Sequence, residues 1–237
     1  MRASSWNAGT VRWACVCAVF ACIGFAAHAD NQNCGEPPEH SHYVPQSGDT
    51  EDAQHLAMER TFAGQGTLEL NVCSGELHIR PASGDRLRLR IETSSTPSLK
   101  MRAYVKDLDV SGDHATISLE FPHKYHVVVT LEVPSTTSLK SEINLGAGKL
   151  YFNADGIQGN RELNLGAGDA YLTMLGDHAY SNFEANVGLG SFHDHRPGGT
   201  SSHFIISRDY QGSGDGRLEV NVGAGSIDIQ PRKGETI

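Results

Sequence analysis

Five glutamates each stand two residues before an asparagine: Glu69 and Asn71, Glu142 and Asn144, Glu162 and Asn164, Glu184 and Asn186, Glu219 and Asn221. In an extended strand, side chains two apart share a face, so each pair would present a carboxylate beside an amide. Such oxygens are what a hard cation takes, which makes Glu142, Glu162 and Glu184 a candidate Ca²⁺ line. Stacked about 4.8 Å apart, two carboxylates repel by roughly 1 kcal/mol in water and about 3.5 kcal/mol at an effective dielectric of 20. A carboxylate ladder therefore needs a cation, intervening lysines or arginines, or solvent screening. The asparagines form a second line, whose amides can hydrogen-bond along a stack as they do in cross-β ladders.

A third line lies one strand further on. Tyr151, Tyr171 and His193 occupy equivalent positions in three copies of the same pattern, with Asp228 in the last copy and His78 in the first. Tyrosines in a row beside acids can contact sugar rings or partner side chains, so these five residues are candidate ligand-binding groups. The plainer reading is cross-strand aromatic packing.

Other chemistry finds less support. His40-x-His42, His123-x-x-His126 and His193-x-His195 are histidine pairs, but spacing assigns a third ligand to none of them, and no zinc site is expected. There is no Gly-x-Ser-x-Gly, P-loop or His-Glu-x-x-His motif, and no catalytic residue is assigned. No cofactor is expected beyond Ca²⁺.

The elements that must position these side chains are nine-residue repeats. Glu142-Ile-Asn-Leu-Gly-Ala-Gly-Lys-Leu150 recurs as Glu162-Leu-Asn-Leu-Gly-Ala-Gly-Asp-Ala170, again from Glu184 and from Glu219, and in diverged form from Glu69, where Cys73-Ser74-Gly75 replaces Gly-Ala-Gly. Each copy reads as strand, glycine corner, strand. Ile143, Leu145, Leu150 and Phe152 point inward and Tyr151 outward, while the glycines permit a corner that a Cβ would obstruct. A spacing near 20 residues is one turn of a solenoid with parallel neighbouring coils. The expected fold is all-β, a single-chain parallel β-solenoid with coils of about 20 residues. A two-sheet β-sandwich is the alternative, because strands joined by glycine corners can also fold back on one another. The longer gaps between copies would hold coils lacking the motif, or insertions.

The chain has 237 residues with 28 acidic and 19 basic side chains, a formal charge of −9, which disfavours nucleic acid and anionic lipid. Residues 1–29 carry Arg2 and Arg12, an apolar run from Trp13 to Ala27, and Ala27-His-Ala29, the parts of a secretory signal. A lipoprotein signal ending at Cys22 competes with it. Residues 30–60 read as a flexible polar linker with at most one helical turn over 54–60, residues 61–233 as the repeat domain, and 234–237 as a tail. No transmembrane segment is expected after the signal. Export would permit a disulfide between Cys34 and Cys73, closing a loop of about 40 residues worth roughly 4 kcal/mol; the alternative keeps the two thiols apart.

The Gly-Ala-Gly copies, with the lead-in His126-Val-Val-Val-Thr-Leu-Glu-Val-Pro134, resemble exported adhesin-type domains of unknown function in bacterial envelope proteins, over roughly residues 62–232. That resemblance implies a β-solenoid-like envelope domain and supplies no catalytic residues. The expected role is non-catalytic binding or adhesion in the periplasm, at the cell surface or outside the cell, to an envelope polysaccharide or an envelope protein. An envelope-stress sensor or scaffold is the first alternative, and a polysaccharide-processing enzyme the second.

Overall fold

A computed structural model describes residues 38–63, 65–135 and 139–231. The signal segment, Cys34 and the tail lie outside these residues. Twelve strands form one mixed sheet: β1 (Thr50–Glu51), β2 (His55–Thr61), β3 (Thr67–Ala82), β4 (Arg86–Thr93), β5 (Val105–Ser111), β6 (His114–Leu119), β7 (Val127–Pro134), β8 (Leu139–Asn153), β9 (Gly159–Thr173), β10 (Asn182–Asp194), β11 (Ser201–Gln211) and β12 (Arg217–Gln230). The only helical pieces among the described residues are three short 3₁₀ turns. All-β architecture thus follows the alternation in the sequence. Leu87, Leu89 and Ile91 of β4 are buried between exposed or half-exposed arginines, as period two requires.

The five repeat copies are β3, β8, β9, β12 and β10, paired in parallel in that spatial order. Glu142 stands opposite both Glu69 and Glu162, and Glu219 stands between Glu162 and Glu184. The strands turn at the glycine pair, or in β3 at Cys73-Ser74-Gly75, and the inward residues on either side, such as Ile143 and Leu145 or Leu150 and Phe152, join one hydrophobic core. At β3 the sheet forks. Residues 67–72 pair with β6, which pairs with β5, whereas residues 76–82 pair with β7, followed by β4, β2 and β1. The sheet is open, with antiparallel strands at both ends of the parallel block.

The bend explains both glycines. At Gly168, φ is +131°, and a Cβ there would lie 1.8 Å from the Gly148 carbonyl oxygen, well inside contact distance. A Cβ on Gly146 would come within 2.4 Å of the Cys73 oxygen. Cys73 itself stands where β3 has left β6 and not yet joined β7, so on that side the row of close carbonyls ends and a side chain fits.

Several expectations need correction. The copy that comes last in the sequence is not last in space: β12 lies inside the sheet, between β9 and β10. In the 73-residue gap between the first two copies, β6 and β7 pair parallel with the two halves of β3, as a coil lacking the motif would, while β4 and β5 are antiparallel insertions; the 35-residue gap holds β11, which turns back antiparallel on β10. Within residues 30–60, read as linker with at most one helical turn over 54–60, β1 and nearly all of β2 are found instead. Leu56, Met58 and Arg60 point inward there, and their period-two spacing matches a strand. Asp49 accepts two hydrogen bonds from buried Arg60 at 2.6 and 2.9 Å and one from Tyr43 at 2.8 Å, fixing this segment to the core.

Candidate functional site

The parallel register brings the sequence-derived lines together on two outward surfaces, one on each side of the glycine bend. On the first, the asparagines form an unbroken amide ladder. Asn186 Nδ2 donates to Asn221, Asn221 to Asn164, Asn164 to Asn144 and Asn144 to Asn71, at 2.9 to 3.0 Å. The second proton of each Nδ2 goes to the glutamate two residues earlier, from 2.8 Å at Glu69 to 3.3 Å at Glu142. The ladder is thus held by its own amides. Arg217, which spacing did not single out, joins Glu184 at 2.6 Å and Glu219 at 3.0 Å. The hydrogen bond from Asn186 and the adjacent Arg217 outweigh burial and hold the Glu184 carboxyl below its usual range. Of the remedies the charge ladder required, an arginine is present, and hydrogen bonds from the asparagine amides add to it. Glu142, Glu162 and Glu184 are not consecutive, because Glu219 intervenes. Among the described residues, no group of three or more His, Cys, Asp or Glu side chains is placed to hold a metal ion.

On the second surface, Cα register places His78, Tyr151, Tyr171, Asp228 and His193 in one row across β3, β8, β9, β12 and β10. All five are partly exposed. Asp228 separates Tyr171 from His193, which sequence order could not show. His78 stacks on Tyr151 with centroids 4.5 Å apart and planes 7° from parallel, and Tyr151 on Tyr171 at 4.9 Å and 15°. Both faces of Tyr151 are therefore covered, and the stack turns ring edges and hydroxyls outward. Burial, then the nearby Glu76 charge, raises the Tyr151 phenol above its ordinary value, leaving a neutral hydroxyl at neutral pH. Beside this row runs another of Glu76, Lys149, Asp169 and Ser226, in which Ser226 donates to Asp169 at 2.6 Å and Glu76 meets His78 at 2.7 Å.

The row continues to histidines at the sheet edge. His193 lies 6.2 Å from His195 and 5.6 Å from His203 of β11, centroid to centroid. His203 carried no spacing signal, because only the β10–β11 hairpin brings it near. His195 Nε2 stands 3.3 Å from Asp228 Oδ1. His40 and His42 lie apart from this group, in the segment before β1. Cys73 is buried and disulfide-bonded, and its expected partner Cys34 is outside the described residues.

No family model matches the chain, and neither does any curated protein. Solved structures similar to it include a candidate cell adhesion protein from Clostridium sporogenes, 14% identical over 77% of this chain and 100% of that one, with a TM-score of 0.49. A candidate adhesin from Parabacteroides merdae is 11% identical over 76% of this chain and 82% of that one, with a TM-score of 0.29. No described helix is long and apolar enough to cross a membrane.

Proposed function

We propose that this is an exported cell-envelope or surface domain that acts by non-catalytic binding, with its parallel block serving as a short β-solenoid that presents side chains in rows. The observation that carries this reading is the continuous outward row His78, Tyr151, Tyr171, Asp228 and His193, one residue per strand. At about 4.8 Å per strand it extends roughly 19 Å, a flat track suited to an extended polymer rather than a pocket for a small molecule. The stacked rings hold the hydroxyl edges of Tyr151 and Tyr171 rigidly, so a sugar chain would meet fixed hydrogen-bonding groups at little entropic cost. Co-sedimentation with cell-wall polysaccharides, with and without Ca²⁺, tests the reading. Saturable binding lost in a folded Tyr151→Ala, Tyr171→Ala, His193→Ala variant, without release of sugar, is expected. Released sugar would favour an enzyme, and no binding to any polymer would overturn the reading.

A second reading, a scaffold that binds a protein partner, has its own support. β11 is an open edge strand; its own Phe204 and Ile205 are 72% and 70% exposed, and Leu189 of β10 is 60% exposed. Uncovered edges of this kind accept an added strand. In that reading Ile205→Lys abolishes capture of an envelope protein while polysaccharide binding stays unchanged.

A further inference from the structure

We infer that the outward row selects an acidic sugar polymer, with Arg90 of β4 as the residue that takes its anionic group. The inference rests on the binding role proposed for that row and adds the class of polymer.

The row does not end at His78. Cα register sets His78 opposite Thr130 of β7, Thr130 opposite Arg90, and Arg90 opposite Ala57 of β2. The residues before and after each of these, such as Leu89 and Ile91 or Val129 and Leu131, are buried. Ala57, Arg90 and Thr130 therefore share the outward face of Tyr151 and Tyr171. At about 4.8 Å per strand, Arg90 stands three strands and roughly 14 Å from Tyr151.

Other arginines on this face are neutralised, and Arg90 is not. Arg88 lies between Glu59 and Glu132 in register and meets them at 2.9 and 3.4 Å. Arg80 meets Glu132 at 2.6 Å, and Arg86 stands 3.6 Å from Glu59. The two positions that flank Arg90 hold Ala57 and Thr130 where those flanking Arg88 hold glutamates. Glu92, two residues along the same face, lies opposite His55 and Val128. Among the described residues, no carboxylate pairs with the Arg90 guanidinium. The short side chains beside it leave a shallow groove of about 170 Å³, bordered by Gly48, Ala57, Arg90 and Thr130.

A guanidinium fork matches a carboxylate through two parallel hydrogen bonds, and the Thr130 hydroxyl can add a third. Asp228 and Glu76 repel an anion further along the row, so an acidic group is directed to the Arg90 end. One extended chain would then set its carboxylate at Arg90 and its hydroxyls against Tyr151 and Tyr171. The competing account is a solvated surface arginine that contributes only net charge.

Purified protein in buffer containing EDTA is titrated by calorimetry with polygalacturonate, and with the same polymer after its carboxyl groups have been reduced to neutral alcohols. The acidic form is expected to bind at least about tenfold more tightly, with an advantage that shrinks as salt is raised. Arg90→Gln cancels the advantage and leaves affinity for the reduced polymer unchanged. Arg86→Gln, which removes the same charge from the same strand and face, keeps it. Thermal melting of Arg90→Gln matches that of the parent, because the side chain it replaces holds nothing in the fold. Equal affinity for the two forms, or an undiminished preference in Arg90→Gln, overturns the assignment while polymer binding stands. No binding to either form overturns it together with the reading on which it rests.

Discussion

Asn164 is the centre of the amide ladder: it donates to Asn144 and to Glu162 and accepts from Asn221. Asn186, at the β10 end, makes only the two donations. At about 1 kcal/mol per hydrogen bond, Asn164→Ala should cost roughly 2–3 kcal/mol and Asn186→Ala distinctly less, as measured by urea unfolding. Equal losses would mean that the ladder is not cooperative. Arg161 is the other residue to examine. It is 2% exposed, with a guanidinium that donates to the carbonyls of Ala154, Ile157 and Ala179, and burial lowers it to about 10, still charged at neutral pH. Arg161→Met leaves those carbonyls without their donor and should lower stability by roughly 3 kcal/mol, with Arg161→Lys losing less. Neither Arg161 nor the Arg60–Asp49 pair was legible in the sequence. An arginine beside apolar residues reads as an exposed one until the turns whose carbonyls it serves are placed. Glutamate, asparagine and tyrosine lines were legible because a strand fixes which side chains share a face.

At the scale of the element, the bent strand depends on backbone approaching backbone. Gly168→Ala puts a methyl 1.8 Å from the Gly148 oxygen at a φ of +131° and should prevent folding or cost several kcal/mol. Gly84→Ala, also at positive φ but with nothing within 4 Å, should lower the melting temperature far less. Similar losses would show that conformation, rather than strand approach, sets the glycine requirement. The strand–corner–strand unit could be read from nine residues because every level of pattern agrees there. The order of the units could not. β11 turns back antiparallel along one edge of β10, so β12 can pair only with the other edge and enters between β9 and β10. Period-two alternation is the same for parallel and antiparallel neighbours, and so the antiparallel strands β4 and β5 left no mark that separated them from the parallel β6 and β7.

For the whole molecule, acid stability follows from carboxylates on several elements. Burial opposes ionisation of Asp49 and Glu132, yet arginine hydrogen bonds outweigh it and hold both below the usual carboxylate range, as amide and arginine contacts do for Glu184. A carboxyl lowered in the folded state contributes stability that is complete above its unfolded value and is lost as pH falls through its folded one. Unfolding midpoints should therefore stay level down to about pH 4.5 and fall below it. Asp49→Asn should flatten that decline at the cost of a lower plateau. A decline that begins near pH 6 would instead implicate histidines.

The position of β12 governs the order of assembly. It is the last of the twelve strands in the chain, yet it joins β9 to β10. Strands β3, β8 and β9 can pair as they emerge, whereas the β10–β11 hairpin has no place in the sheet until β12 exists. The joining strand is also the one that completes the ladder, supplying Asn221 between Asn164 and Asn186 and Asp228 beside His193. Neither row is continuous in a partly synthesised chain, so the surface proposed to bind comes into being only when the fold closes.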